Sequence, residues 1–261
     1  MTSLSNPRIK DVLRLRERKA RNESGLTIIE GVREVACALE AKVNLQELYL
    51  CSDFLHKGEK TALMKKAAKD TAIFEVTKKI FEKISYGERQ EGVLAVGRPK
   101  AAALNNLKLK ADPFFVVMET VEKPGNLGAV LRTCDGAGVD GVIIGDAATD
   151  IYNPNVIRSS LGTVFSVPVA VGSNPEVLTF LQRNKIKICC AAPQAKQTYT
   201  QANLQGAVAL VLGSEQKGLS DFWFKNSLLQ VKIPMQGKAD SLNVSTTAAI
   251  LIYEVLRQRS A

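Results

Sequence analysis

Apolar positions along the chain follow two periods. In the first hundred residues they switch repeatedly between them. Ile9, Val12, Leu13 and Leu15 recur at helical spacing among charges, which predicts a basic amphipathic helix over 9–21. A short apolar run at 26–31 reads as a strand. Residues 32–40 read as a helix, with Val35, Ala36 and Leu39 on one face. Strand patterns follow at 45–51, 72–76 and 92–97, and helical patterns at 60–69 and 78–84. Together these make a small α/β unit. Periodicity then lapses between Pro99 and Pro113, which predicts a linker over 98–112. Beyond it, short runs rich in β-branched residues lie at 114–118, 142–144, 167–171, 186–191, 208–212 and 229–233, several of them separated by helical patterns. Near-continuous apolar strands of this kind are those of a largely parallel sheet covered on both faces. The expected division is therefore 1–97, a linker at 98–112, and 113–261.

Composition narrows the class. The 261 residues are 46% hydrophobic and 23% charged, so there is ample material for a core and no sign of a disordered chain. No apolar run approaches the ~18–20 residues that cross a bilayer, and the polar residues 1–9 do not read as a signal peptide. The expectation is no membrane partner. Five cysteines, at 37, 51, 134, 189 and 190, match no zinc spacing, and Cys189–Cys190 sits in an apolar run. A reduced, cytoplasmic setting and no metal are expected. The single histidine, His56, lies among charges and reads as a surface residue, which disfavours histidine-based nucleophilic catalysis.

Charge adds a partner. The formal net charge is +9, and residues 1–100 carry 20 basic against 14 acidic side chains. Seven cations crowd the first 21 residues: Arg8, Lys10, Arg14, Arg16, Arg18, Lys19 and Arg21. Such a cluster suits a polyanion, although a solvated helix face gives the same pattern.

Two glycine patterns imitate nucleotide sites. Residues 136–141 match G-x-G-x-x-G, but they close a helix and open a strand, the reverse of a dinucleotide fingerprint. Residues 213–218 have P-loop glycine spacing, but Leu219 stands where the lysine belongs. Three other segments carry candidate chemistry, each a loop after a predicted strand, where ligands of α/β sheets bind. Residues 121–132 hold Asn126 and Arg132, residues 209–219 hold Glu215, and residues 231–245 hold Ser241 and Asn243, either of which can cap the helix that follows.

In this order, N-L-G-A-V-L-R (126–132), L-V-L-G-S-E-Q-K-G-L (210–219) and I-P-M-Q-G-K-A-D-S-L-N-V-S (233–245) resemble the three motifs of the SpoU (TrmH-type) RNA 2′-O-ribose methyltransferases of the SPOUT superfamily. The stretch from Asn153-Pro154 to Gly162, with Pro168, is also similar. The first hundred residues resemble, less sharply, the ribosomal-protein-like α/β domain that binds substrate in many members. The resemblance implies a parallel sheet with a C-terminal trefoil knot, a homodimer, and S-adenosyl-L-methionine as cofactor. It places the cofactor on Leu212, Gly213, Ser214, Ile233, Pro234, Met235, Leu242 and Asn243. It assigns catalysis to Arg132, Asn126, Glu215, Ser241 and Asn243. Arg132 as a base is awkward because a guanidinium stays protonated. A phosphate clamp and alkoxide stabiliser is preferred, with the base as the alternative. Arg8, Lys10, Arg14, Arg18, Arg132 and Arg158 are the candidate RNA contacts. A separate N-terminal α/β domain favours 23S (large-subunit) rRNA as substrate. The alternatives are a tRNA 2′-O-ribose methyltransferase and a non-catalytic RNA-binding or ribosome-assembly protein of the same fold.

Overall fold

The computed structural model describes residues 3–87 and 90–260. It divides into two compact units, Met1–Lys100 with Asp150–Ser166, and Ala101–Thr149 with Val167–Ala261.

The first unit runs α1 (Pro7–Arg14), α2 (Arg18–Ser24), β1 (Thr27–Glu30), α3 (Val32–Glu40), β2 (Asn44–Leu50), α4 (Lys57–Lys66), β3 (Ala72–Glu75), α5 (Lys78–Ile84) and β4 (Val93–Arg98). Its sheet has the order β1-β4-β2-β3, antiparallel except for β2 with β3. Ile9, Val12, Leu15, Ile28, Tyr49, Phe81 and Leu94 form its core. His56 is exposed and precedes α4.

The single helix expected over 9–21 is two helices. Leu15 closes α1 and is buried, and the amides of Arg16 and Glu17 turn back onto the carbonyls of Leu13 and Arg14. The break is held by Arg21, only 5% exposed. Its Nη1 donates to Leu15 O at 2.9 Å and to Arg16 O at 2.8 Å, two carbonyls exposed by the interruption. Its Nε donates to the Asp150 carboxylate at 2.7 Å. No proline or glycine marks the break in sequence, because a side chain more than a turn away stabilises it.

The second unit continues with β5 (Phe114–Glu119), α6 (Pro124–Ala137) and β6 (Gly141–Gly145). Gly138, at φ +65°, caps α6, as the reversed glycine pattern requires. The chain then supplies Asp150–Ser166, with α7 (Pro154–Ser159), to the first unit. There Thr27 Oγ1 donates to Tyr152 O at 2.7 Å, Asn155 Nδ2 donates to the Tyr86 hydroxyl at 3.1 Å, and Ile151, Val156, Ile157 and Val164 are buried. This segment lies within the stretch expected to belong wholly to 113–261, yet it packs with the first hundred residues.

Back in the second unit come β7 (Val169–Gly172), α8 (Asn174–Arg183), β8 (Lys187–Ala191), β9 (Gln197–Thr198), β10 (Val208–Leu212), α9 (Asp221–Asn226), β11 (Leu229–Lys232) and α10 (Val244–Arg259). The seven strands are ordered β7-β6-β5-β10-β8-β11-β9, and every pairing is parallel. β5, β6 and β10 are buried along their whole length, which explains their unbroken apolar sequence. Cys189 and Cys190 are fully buried in β8, and burial pushes their thiols up to about 12 and about 11. Among the described residues the five cysteines form no disulfide.

The stretch expected to be a linker is partly structured. The Ala102 amide donates to Val169 O at 2.8 Å beside β7, a 3-10 turn spans Leu104–Asn106, and Leu107 is buried in the second core. One bridging residue and one buried leucine leave no periodicity to read.

Candidate functional site

β10 ends at Leu212 next to Met118 of β5, and the chain enters a tight loop. Ser214 N donates to Gly218 O at 3.1 Å, Gly218 N returns to Ser214 O at 2.9 Å, and the Ser214 hydroxyl accepts from Lys217 N at 3.2 Å. The loop closes so tightly that a Cβ on Gly213 would lie 2.1 Å from the carbonyl carbon of Gly218 and 2.2 Å from Leu219 N. Backbone cannot yield as a side-chain tip can. Gly213→Ala is therefore expected to open the loop and weaken ligand binding at this edge by at least tenfold, read by calorimetry, with the cooperative melt retained. Leu219, in place of a P-loop lysine, is buried in the core.

After β11 the chain passes Ile233, Pro234 and Met235 and reaches Asn243, which caps α10. Its Oδ1 accepts from Ser245 N at 2.9 Å and Ser245 Oγ at 2.7 Å. Of the two candidate caps, Asn243 has the role, and Ser241 is exposed. Asn243 Nδ2 donates to Asn126 Oδ1 at 3.3 Å, so the first and third motifs meet although 117 residues separate them. The second motif joins through Glu215, which forms an ion pair with Lys123 just before α6.

These loops border a cavity of about 560 Å³ at the C-terminal ends of β8, β10 and β11. Leu212, Ile233, Met235, Leu242 and Leu251 supply apolar wall, while Ser214, Gln194, Asp240 and Thr247 supply polar groups. Seven of the eight residues expected to hold a cofactor line it, and Pro234 does not. Of the expected catalytic set, Glu215, Ser241 and Asn243 line it. Asn126 is tied to it through Asn243. Arg132 lies six residues further along α6, exposed and outside the lining. The lining also takes in 191–194, from the last residue of β8 onward, and Phe224. The rule that ligands sit beyond strand C-termini could have found 191–194; nothing in the sequence singles out Phe224. The Asn126 Nδ2 is buried and has no hydrogen-bond partner among the described residues, an orphan donor of the kind a ligand oxygen satisfies.

The first-unit cations divide by environment. Lys10, Arg14 and Arg18 are exposed, with Arg14 3.7 Å from Asp11. Arg8 lies over the Phe74 ring at 5.1 Å and pairs with Glu47. Arg158 is half-buried, its guanidinium packed against the backbone of Gly87. Two further members of the N-terminal cluster are structural: Arg16 donates to Lys83 O and Ser85 O, and Arg21 is buried. Among the described residues no group of three or more His, Cys, Asp or Glu could hold a metal, and no helix is long and apolar enough to cross a membrane.

Comparison with known proteins places this geometry. The SpoU rRNA methylase family model matches residues 113–253, and the MRM3-like substrate binding domain matches 6–95. The 23S rRNA (guanosine(2553)-2′-O)-methyltransferase RlmP of Bacillus subtilis is 27% identical over 97% of both chains. A 23S rRNA (uridine(2479)-2′-O)-methyltransferase of Streptomyces viridochromogenes is 29% identical over 94% of this chain and 87% of that one. A crystal structure of an RNA 2′-O ribose methyltransferase superposes with a TM-score of 0.88 at 39% identity, covering 100% of this chain and 99% of the other. An AdoMet-bound rRNA methyltransferase from Sinorhizobium meliloti gives 0.89 at 26% identity, covering 98% and 97%. The parallel sheet, the meeting of the three motifs at its edge and these matches together establish that the chain belongs to the SpoU rRNA methylase family.

Proposed function

We propose that the protein transfers a methyl group from S-adenosyl-L-methionine to a ribose 2′-hydroxyl of RNA, with 23S (large-subunit) rRNA as the substrate. The observation that carries this reading is the Asn243–Asn126 hydrogen bond beside the cavity, which brings the first and third motifs to the site that the second motif lines. The cavity volume suits a nucleoside-sized ligand. Its mixed lining fits one that is part purine and part amino acid. Leu212, Ile233, Met235 and Leu242 would enclose the flat base, and the closed loop from Gly213 to Gly218 would present backbone to the ligand. Pro234 would act only by shaping the turn between Ile233 and Met235. When bound, the cofactor supplies an electrophilic methyl group on a sulfonium.

The chain's own residues do the rest. Asn126, held through its oxygen by Asn243, has its amide nitrogen left to donate to a ribose or phosphate oxygen. Glu215 is anchored by Lys123, which fixes the second-motif loop. Ser241 would orient the attacking hydroxyl. Arg132 would clamp phosphate and stabilise the developing alkoxide, a task for a permanently charged group. Holding hydroxyl and methyl in line accounts for much of the rate.

Residues 1–97 would select the RNA, with Lys10, Arg14 and Arg18 offering charge, Arg8 contributing from its packed position, and Arg158 from the 150–166 segment that packs with them; 98–112 would connect and the rest of 113–261 would catalyse. The likeness to a substrate-binding family domain supports the first of these roles. Further parts of the reading are a homodimer, a cytoplasmic setting and a trefoil knot formed by the loops around the cavity. The placement of β11 between β8 and β9, with the cavity loops on either side, supports the knot.

The test is transfer of labelled methyl from S-adenosyl-L-methionine to unmodified total RNA, separated by size and digested to nucleosides. Label in 2′-O-methylated nucleosides of the large rRNA is the expected result. Label confined to the small-RNA fraction would move the substrate to tRNA. An absence of transfer from a chain that binds neither RNA fraction nor cofactor would overturn the reading.

A further inference from the structure

A buried carboxylate is bonded to the residue that follows the cavity loop 213–219. Glu119, the last residue of β5, is 4% exposed. Three donors converge on it: Ser220 N at 2.8 Å, Ser220 Oγ at 2.6 Å and Asn174 Nδ2 at 2.7 Å. Asn174, itself 6% exposed, in turn accepts from Trp223 Nε1 at 3.2 Å. Ser220 immediately follows the loop 213–219 that walls the cavity, and Phe224 of the same lining lies one residue beyond Trp223. The Ser220 hydroxyl makes no cap to α9, although Ser220 occupies the capping position. Its bonding is spent on Glu119. The loop is thus closed on itself at Ser214–Gly218 and tied to the end of β5 at its exit.

We propose that Glu119 is a positioning residue for the cofactor pocket, acting through Ser220 and Asn174 to fix the 213–219 wall and the start of α9. This rests on the cofactor reading above. A buried carboxylate serves here because it accepts three hydrogen bonds and donates none, matching an environment made only of donors. Its amide analogue would set an N–H against a donor.

The experiment compares Glu119→Gln, Ser220→Ala and the exchange pair E119Q/N174D in the full chain. Three readouts are used: calorimetric affinity for S-adenosyl-L-methionine, the split of KM for that cofactor against kcat, and amide exchange over 213–219. Glu119→Gln should weaken cofactor binding about tenfold or more and raise KM, with kcat at saturation changed less. Ser220→Ala, which removes one bond at an exposed position, should weaken binding by about threefold. Exchange over 213–219 should rise in both. The exchange pair reverses donor and acceptor between residues 119 and 174: the new carboxylate at 174 accepts from Trp223 Nε1 and from the amide at 119, whose oxygen still accepts from Ser220 N. It should restore affinity to within about threefold of the parent.

Folded Glu119→Gln and Ser220→Ala variants with parental affinity and exchange would overturn the inference, as would a pair that recovers melting temperature but not affinity. If Glu119→Gln does not fold, Ser220→Ala decides alone. Should the parent chain itself fail to bind S-adenosyl-L-methionine, the cofactor reading falls. Amide exchange over 213–219 then still shows whether Glu119 holds the loop.

Discussion

Arg132→Ala is expected to reduce methyl transfer by about 10²- to 10³-fold under single-turnover conditions, the range for removing one preorganised group that stabilises a developing negative charge. Affinity for S-adenosyl-L-methionine should stay within about threefold of the parent, because Arg132 lies outside the cavity lining. The two halves make the prediction discriminating. A group that held the cofactor would change both, and a group that mattered only for folding would change the melting temperature as well, which an exposed position on α6 should not. Arg132→Lys separates the charge of the group from its planar, bidentate fork. A lysine keeps the positive charge and loses the planar fork, so an electrostatic role leaves measurable residual transfer. If transfer and cofactor binding were lost together, the role assigned to Arg132 would be wrong.

The largest effect on stability is expected at Arg21. Its guanidinium bonds three partners in a space almost closed to water: the carboxylate of Asp150 and the carbonyls of Leu15 and Arg16. Truncation to alanine leaves an unpaired carboxylate and two stranded carbonyls. The expected loss is about 3–5 kcal/mol, the range for breaking a buried pair from one side. For a chain of this size that is roughly a 10 °C fall in melting temperature, read by differential scanning calorimetry. Arg21→Lys should recover only part of the loss, since one ammonium cannot reach all three acceptors in the plane of the original fork. Arg21→Ala with Asp150→Ala should be less damaging than the sum of the single changes, because the double variant strands no charge. Simple additivity of the two losses would refute the pairing as the source of the effect.

Arg21 also shows where sequence reading stops. In the sequence it is one of seven N-terminal cations and supports a polyanion partner. In the fold it is a buried strut, and Arg16 and Arg8 are likewise engaged with the protein. Counting charge along a chain cannot separate cations that face solvent from cations that hold structure, because their partners at 47, 83, 85 and 150 are set by the tertiary fold. The strands of the second unit were legible for the opposite reason. Burial on both faces leaves one kind of residue at every position, so β5, β6 and β10 announce themselves locally. The candidate site was legible through the order of three loops, each of which lies after a strand. The side-chain bond that joins Asn126 to Asn243, and the buried Glu119 behind the loop, depend on strand order, which periodicity does not encode.

The first unit, built from two separated stretches of chain, constrains how such a protein can be inherited. A recombination event that joined a foreign recognition domain at residue 100 would leave Ile151, Val156, Ile157 and Val164 without the surface that buries them, and Asp150 without its arginine. Exchange of specificity by shuffling would have to carry residues 150–166 along, as a second crossover inside the catalytic half. If this body selects the RNA, as proposed, lineages that change their RNA target are expected to do so by point substitution within it more readily than by wholesale replacement of it.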